Sequence, residues 1–303
     1  MESDSNLPIL LIGYNRPTLF NDRLNQIRSL PVKELHISVD SSEVGPNPEI
    51  LSILERFRID SLNFEVFLNI ENTNQGLTKH VTRAISRVLE VNPAVLVIED
   101  DISLTPDAYF ALNEIYCLQK SQNLVGVIGG FSPITQPRAV NWNRWRVTPY
   151  FSVWGWVATR ENWEDYNFDI SEIDIQKSLA KSVSWNNLST FQRSVWLSRF
   201  ERAQLDPLHT WDIQMQYWSF LKDFVNVIPT FRLVENLGFN DPRAVHTKGR
   251  KPRWWIESDP NRSVTPQGKL STFFSHLMQL IDSNTFIGDS RIFHFWQHTI
   301  KQK

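Results

Sequence analysis

Residues 95–104 read VLVIEDDISL. Val95 to Ile98 form a short apolar run that suits a buried strand. It ends at once in three acids, Glu99, Asp100 and Asp101. Neighbouring carboxylates each raise the cost of ionising the next. The simplest explanation for an acid after a strand is that it caps the following helix. Here Thr105-Pro106-Asp107 already offers an N-cap, a proline at the first helical position and a first-turn acid. Capping therefore leaves the cluster unexplained. Two readings remain: a solvated acidic rim, or a site for a hard divalent cation. Such cations take oxygen ligands, commonly one or two carboxylates with substrate phosphates and water.

Working outward, the pattern of strand then helix repeats. ILLIGY (9–14) reads as a strand, with Thr18 placed to cap a helix running to about Ser29. ELHISVD (34–40), FEVFLNI (64–70) and AVLVIED (94–100) read as further strands. Helices are expected over 49–58, 77–90 and 106–119, and LVGVIGG (124–130) follows. This alternation predicts an α/β fold with a mixed, mainly parallel sheet flanked by helices. Ligands bind such sheets beyond the carboxyl ends of the strands. Tyr14, Asp40, Asn69 and Glu99 all fall at such ends. Later segments differ: YFSVWGWVATR (150–160) reads as a strand, and 171–181, 189–204 and 210–222 as helices. VNVIPTFRLVENLGF (225–239) reads as strand then loop, HTKGRKPRWW (246–255) as a basic loop, and KLSTFFSHLMQLI (269–281) as an amphipathic segment. No repeat or low-complexity linker divides the chain.

Composition narrows the classes. The 303 residues carry 31 basic and 33 acidic side chains, a net charge of −2, so nucleic acid is not an expected partner. The single cysteine, Cys117, permits no internal disulfide, fits a reducing compartment, and is expected to be a buried structural thiol. MESDSNLPIL is acidic and lacks the apolar stretch of a secretion signal, and no apolar run is long enough to span a bilayer. The expected location is cytoplasmic. The 12 tryptophans suit core packing, sugar stacking or a membrane interface equally.

With those residues in place, VLVIEDDISLTPDAYFALNEIY resembles the metal-binding region of GT-A glycosyltransferases, where a DXD motif or its EDD variant closes a central strand. The likeness is to bacterial family-2-like enzymes and to the N-acetylglucosaminyltransferase I type. Other blocks resemble that group in order: PILLIGYNRPTLFNDRLNQI, HISVDSS, NTNQGLTKHVTRAIS, SVWGWVATRENW, TWDIQMQYW and LVENLGFNDPRAVHT. The resemblance spans about 8–248. It implies a Rossmann-like GT-A domain over 1–248, with a nucleotide-sugar half (1–130), a helical acceptor half (131–248) and an extension (249–303). It also implies an inverting glycosyltransferase of hexosyltransferase type, using Mn²⁺ or Mg²⁺, a nucleotide-sugar donor (a UDP-sugar) and a carbohydrate acceptor. VDSS, WGWVATR and NDPRAVHT depart from the group's usual forms, which bears on donor and acceptor identity.

The resemblance assigns roles. Asp101 would bind the metal, with His246 of the closing HT pair as a second ligand. Asp100 would contact ribose or a metal-bound water, and Glu99 the nucleotide side. Asp40 would meet base or ribose; its alternative is a loop-capping acid. Tyr14, Asn15 and Arg16 lie at the neighbouring strand end, where Arg16 would pair with base or phosphate or lie on the surface. Gly76 would allow a turn or a close backbone approach. Lys79 and Arg83, four apart on one helix face, would reach the donor phosphates or form a solvated stripe. Asp212 would be the general base, the alternative being a first-turn acid behind an N-capping Thr210, with Glu235 as a rival. Trp154 and Trp156 would share a face if their segment is a strand, one of them stacking on the acceptor or, equally, both packing the core, with Gly155 leaving the opposite face open. Trp142 and Trp145 would pack. Lys248, Arg250, Lys251 and Arg253 would fold over the diphosphate as a lid, form a solvated tail or, with Trp254 and Trp255, touch an anionic membrane. A non-catalytic carbohydrate-binding or scaffold protein on a degenerate GT-A fold is the competing class. A phospho-receiver domain is not, because its acids would follow the first and third strands.

Overall fold

The structure is a computed structural model that describes residues 6–59, 63–122, 124–132, 145–229, 232–239, 241 and 243, and the backbone of 270–271. The chain begins with β1 (Ile9–Gly13), α1 (Pro17–Arg28), β2 (Glu34–Val39), α2 (Pro48–Ile59), β3 (Glu65–Ile70), α3 (Leu77–Val91) and β4 (Ala94–Glu99). It continues with β5 (Ile102–Leu104), α4 (Ala108–Ser121), β6 (Ile128–Gly129), β7 (Trp145–Thr148), β8 (Trp156–Thr159) and α5 (Arg160–Trp163). Then come α6 (Ile175–Leu179), α7 (Val183–Asn186), α8 (Thr190–Leu205), α9 (Asp212–Leu221), β9 (Asn226–Pro229), β10 (Val234–Asn236) and β11 (Leu270–Ser271).

The main sheet has the order β11-β7-β9-β6-β8-β4-β1-β2-β3. Strands β3, β2, β1 and β4 are mutually parallel, and β8 runs antiparallel to both β4 and β6. The fold is thus the expected mixed α/β, Rossmann-like architecture. The chain lays β2 and β3 on one side of β1 and then returns to place β4 on the other. That reversal is a topological switch point between β1 and β4, and ligands of such sheets commonly bind beyond the strand carboxyl ends at that place.

Alternation along β1 and β4 explains why both are wholly apolar before their ends. Ile9, Leu11, Leu96 and Ile98 pack with Phe20 and Leu24 of α1 and Leu112 of α4. Leu10, Ile12, Val95 and Val97 face the other way, onto Val81, Ile85 and Val88 of α3. A central parallel strand covered on both faces needs such a run. A third cluster joins α6 to α9 through Leu179, Trp185, Trp196, Phe200, Tyr217 and Phe220, and forms the helical region. Each large apolar side chain so buried contributes roughly 1.5–3 kcal/mol. Trp145 is fully buried, as expected of a packing residue, whereas Trp142 lies outside the described residues.

Several local expectations are corrected. Thr18 does not cap α1; Pro17 opens the helix after Arg16, whose side chain makes no capping bond. Thr105 does not cap α4 either. Ile102–Leu104 is drawn into β5 by pairing with β10, so the chain first turns through an Ala108 N–H to Thr105 carbonyl bond of 3.0 Å. The acids still cap nothing, because β5 separates them from α4. The helix expected over 171–181 shrinks to α6, which is capped by Asp174. Cys117 is only partly buried against the core. The 249–303 segment contributes β11, parallel to β7, and its remaining residues lie outside those described. Among the described residues no helix is long and apolar enough to cross a membrane.

Candidate active site

Backbone bonding sets the rim of the sheet at the switch point. The Asp40 and Asp100 amides donate to the Gly13 and Ile12 carbonyls, each at 3.0 Å, so β2 and β4 end beside β1 in register. Arg16, just beyond β1, reaches across to the acids at the end of β4. Its Nη2 lies 2.6 Å from Asp100 Oδ1 and its Nη1 2.7 Å from Asp101 Oδ2. Both acids are buried, at 2% and 5% exposure. Charge-assisted contacts of this forked kind are among the stronger polar contacts in proteins. Behind the acids the backbone is clamped. The Leu237 amide donates to the Asp101 carbonyl at 2.8 Å, and β5 pairs with β10. Gln26 of α1 bonds both the carbonyl and the amide of Leu104, at 2.6 and 3.1 Å.

Sequence reasoning missed Arg23, a second cation at this place. It is buried on α1, donates to Gln26 at 3.2 Å, and has an Nε without a hydrogen-bond acceptor. Burial pulls its guanidinium below the ordinary value, with Asp22, Asp101 and Asp100 opposing the shift. Its signal was position: seven residues after Arg16 it returns to the same face of α1.

The acids are electrostatically strained. Burial, then Asp101 and Asp100, push the Glu99 carboxyl up to about 8, against the pull of Arg16. Burial pushes Asp100 up to about 7; Arg16 opposes this and Asp101 adds to it. The Tyr14 backbone and the Arg16 side chain both hydrogen-bond the Asp100 carboxylate and oppose the shift without cancelling it. Both shifts are upward, so the folded protein holds protons that the unfolded chain releases above its ordinary values of 4.5 and 3.8. That stability is complete at acid pH and is lost as pH rises through 7 and 8. His36 and His80 are lowered chiefly by burial, so their opposite contribution falls below about 6.5. The melting temperature without ligands should therefore drop between about pH 6.5 and about 8 and level off above that. Scanning calorimetry should show a shallower drop for Glu99→Gln; an unchanged slope would remove Glu99 as the cause.

On the β2 side, Asp40 Oδ1 accepts from the Ser41 and Gln75 amides, both at 2.9 Å. The loop-capping role is thus realised, and it ties the 71–76 loop to the rim. Gly76 needs its positive φ of 76°, but nothing lies within 4 Å of a Cβ there, so it serves the turn and not a close approach. His80, another residue the sequence reading passed over, is buried with its Nε2 2.8 Å from Ser38 Oγ and feels the charge of Asp40. A lone histidine on an amphipathic helix looks like core, which hid it. The Tyr14 hydroxyl oxygen accepts a long 3.5 Å bond from the Asn74 side-chain amide, and Asn15 and Lys79 are partly buried. Arg83 is exposed and donates to Gln75 Oε1 at 2.8 Å.

Asp212 opens α9. The preceding Trp211 packs among Phe151, Trp156 and Trp163, and the Tyr166 hydroxyl donates to its carbonyl at 2.9 Å. Trp211, not Thr210, is the cap residue, and it makes no side-chain capping bond. The Thr210 hydroxyl donates to the Asp212 carboxylate instead. The charge of Asp212 is felt at Glu99 and adds, as the smallest of the causes, to the upward shift of its carboxyl. The approach loop is held by Thr78 Oγ1 to the Leu208 carbonyl, 2.8 Å, and Gln214 to the Pro207 carbonyl, 3.0 Å. The rival Glu235 is bound to buried Arg232 at 3.2 Å.

Trp154 and Trp156 do not share a face. Gly155 between them has φ +59°, which breaks the alternation before β8 begins. Trp154, partly exposed, lies edge-on to Phe131 at 4.6 Å and Phe239 at 6.0 Å. Trp156 is buried on the other side of the sheet. Nor does Gly155 leave space: a Cβ would meet Val234 at 2.7 Å. His246 and the basic loop around Lys248, Arg250, Lys251, Arg253, Trp254 and Trp255 lie outside the described residues. Among the described residues no three His, Cys, Asp or Glu side chains converge as a metal site.

No protein-family model matches this chain, and no curated protein matches it. Solved structures that resemble it include a mannosyltransferase, PcManGT from Pyrobaculum calidifontis, in complex with GDP-Man and Mn²⁺. It is 15% identical with TM-score 0.42, over 71% of this chain and 69% of that one. Another is HddC from Yersinia pseudotuberculosis, 13% identical with TM-score 0.31, over 53% and 80%. At these scores neither likeness bears on function.

Proposed function

We propose that this protein is a metal-dependent, inverting GT-A glycosyltransferase. It would transfer a hexose from a nucleotide-diphosphate sugar, read as a UDP-sugar, to an acceptor hydroxyl. One observation carries the reading. Asp100 and Asp101 stand at the β1/β4 reversal beside a guanidinium, and the charge of Asp212 is felt at Glu99 of the same cluster. The residues suit Mn²⁺ or Mg²⁺. The donors are carboxylate oxygens of two buried acids, Asp100 and Asp101. A hard cation held by one or two carboxylates takes its other ligands from diphosphate and water, so three convergent protein ligands are not required.

In this reading Asp101 holds the cation, with His246 as a second ligand, and Asp100 orients ribose or a bound water. When bound, the cation offsets charge growing on the leaving diphosphate. Glu99 and Asp40 border the nucleotide, with Tyr14, Asn15 and Gly76 shaping its bed. Lys79 and Arg83 add positive charge at the start of α3. Asp212 takes the proton of the attacking hydroxyl. Trp154 flanks the sugar or acceptor. Thermal-shift measurements test the whole. A UDP-sugar with Mn²⁺ should stabilise the protein more than the sum of either alone. No stabilisation by any nucleotide sugar with metal would overturn the proposal. A non-catalytic carbohydrate binder draws support from the internal bonding of Arg16 and Asp40. It predicts stabilisation by glycans without nucleotide, and no donor hydrolysis.

A further inference from the structure

Resting on the cation reading of the acidic pair, we infer that Arg16 is the resident counter-ion of the site in the ligand-free protein, and that a divalent ion enters by exchange with it when a nucleotide diphosphate draws the guanidinium off. The two Arg16 nitrogens sit on Asp100 Oδ1 and Asp101 Oδ2 at 2.6 and 2.7 Å. A cation held by Asp101 would compete with the guanidinium for the charge of this pair, since Arg16 already takes one oxygen of each acid. Arg16 is able to leave. It follows β1 at the rim with its side chain 15% exposed, while α1 is pinned independently by buried Pro17 and Phe20. Arg23 cannot follow, being buried further along α1 and bonded to Gln26.

The exchange partner follows from the chemistry. A guanidinium matches a diphosphate with the same forked geometry that it offers two carboxylates. Its departure onto the diphosphate would take a positive charge away from Asp100 and Asp101, with Arg23 left behind on α1, and a divalent ion would replace that charge. Metal and nucleotide should therefore each raise the affinity of the other, by the same factor, with Arg16 as the coupling element. Unlike a simple chelating site, the free protein should bind Mn²⁺ poorly.

Binding of Mn²⁺ alone, followed by the loss of its free electron-paramagnetic-resonance signal, tests this on the full chain with and without UDP. Arg16→Gln should bind Mn²⁺ without nucleotide at least about tenfold tighter than the wild type, and its gain on adding UDP should shrink. Arg16→Lys, whose single ammonium cannot bridge both acids, should fall between them; it carries the test if circular dichroism shows that the glutamine variant does not fold. If the wild type binds Mn²⁺ with UDP but neither variant binds it more tightly alone, the inference is overturned and the transferase reading stands. If no form binds Mn²⁺ even with UDP, both fall.

Discussion

Asp101→Ala is expected to lower metal-dependent sugar transfer by about three orders of magnitude and to leave a folded protein. A cation on a leaving diphosphate supplies several kcal/mol of stabilisation in the transition state. Each 1.4 kcal/mol lost is about a tenfold change in rate. The fold survives because the backbone carbonyl of Asp101, not its side chain, anchors the turn to Leu237. Arg16 retains Asp100 at 2.6 Å. Losing one charge-assisted bond costs roughly 1.5–3 kcal/mol, and removing a like charge beside Asp100 offsets part of it. Asp101→Asn, which keeps an acceptor for Arg16, should lose as much activity with a smaller fall in melting temperature. The measurement is release of UDP from a UDP-sugar with Mn²⁺. Activity within tenfold of the wild type would move the metal away from this residue.

Asp212→Asn should reduce transfer by roughly a hundredfold to ten-thousandfold, the range of a general base, while UDP and Mn²⁺ bind as before. The substitution is conservative where it matters for structure. Thr210 keeps an oxygen to donate to, and Trp211 stays locked by its ring neighbours and by Tyr166. A helix cap is not at stake, since Trp211 is the cap residue and bonds through no side chain. Calorimetric titration with UDP, beside transfer to a competent acceptor, separates the two functions. Undiminished transfer would place the base elsewhere. Equal losses of nucleotide binding and transfer would make Asp212 part of the donor site.

The parallel half of the fold was legible because its strands are unbroken apolar runs and α3 has one clear apolar face. β5 and β7 were not. Each is too short to show a period and exists only through partners distant in the chain, β10 for one and β9 for the other. The acidic triplet was visible, and so was its place at a strand end. Its partner was not, because Arg16 lies 85 residues from Asp101 and nothing local links them. The same holds for Asp40. A strand-end acid suggested a ligand, yet one oxygen takes two backbone amides, one of them from a loop after β3. Gly155 shows a different failure. Counting residues two apart presumes an extended chain, and one left-handed glycine cancels the count.

The position of β8 has a consequence for redesign. Val97 of β4 pairs with Trp156 of β8, and Trp156 stacks at 5.8 Å on Trp211, next to Asp212. The seam between the halves is therefore a hydrogen-bonded strand pair carrying an aromatic stack, and not a linker. Chimaeras that keep β8 paired with β4 should retain the aromatic stack beside Asp212, and those that cut between the two strands should lose it even where every named side chain is retained.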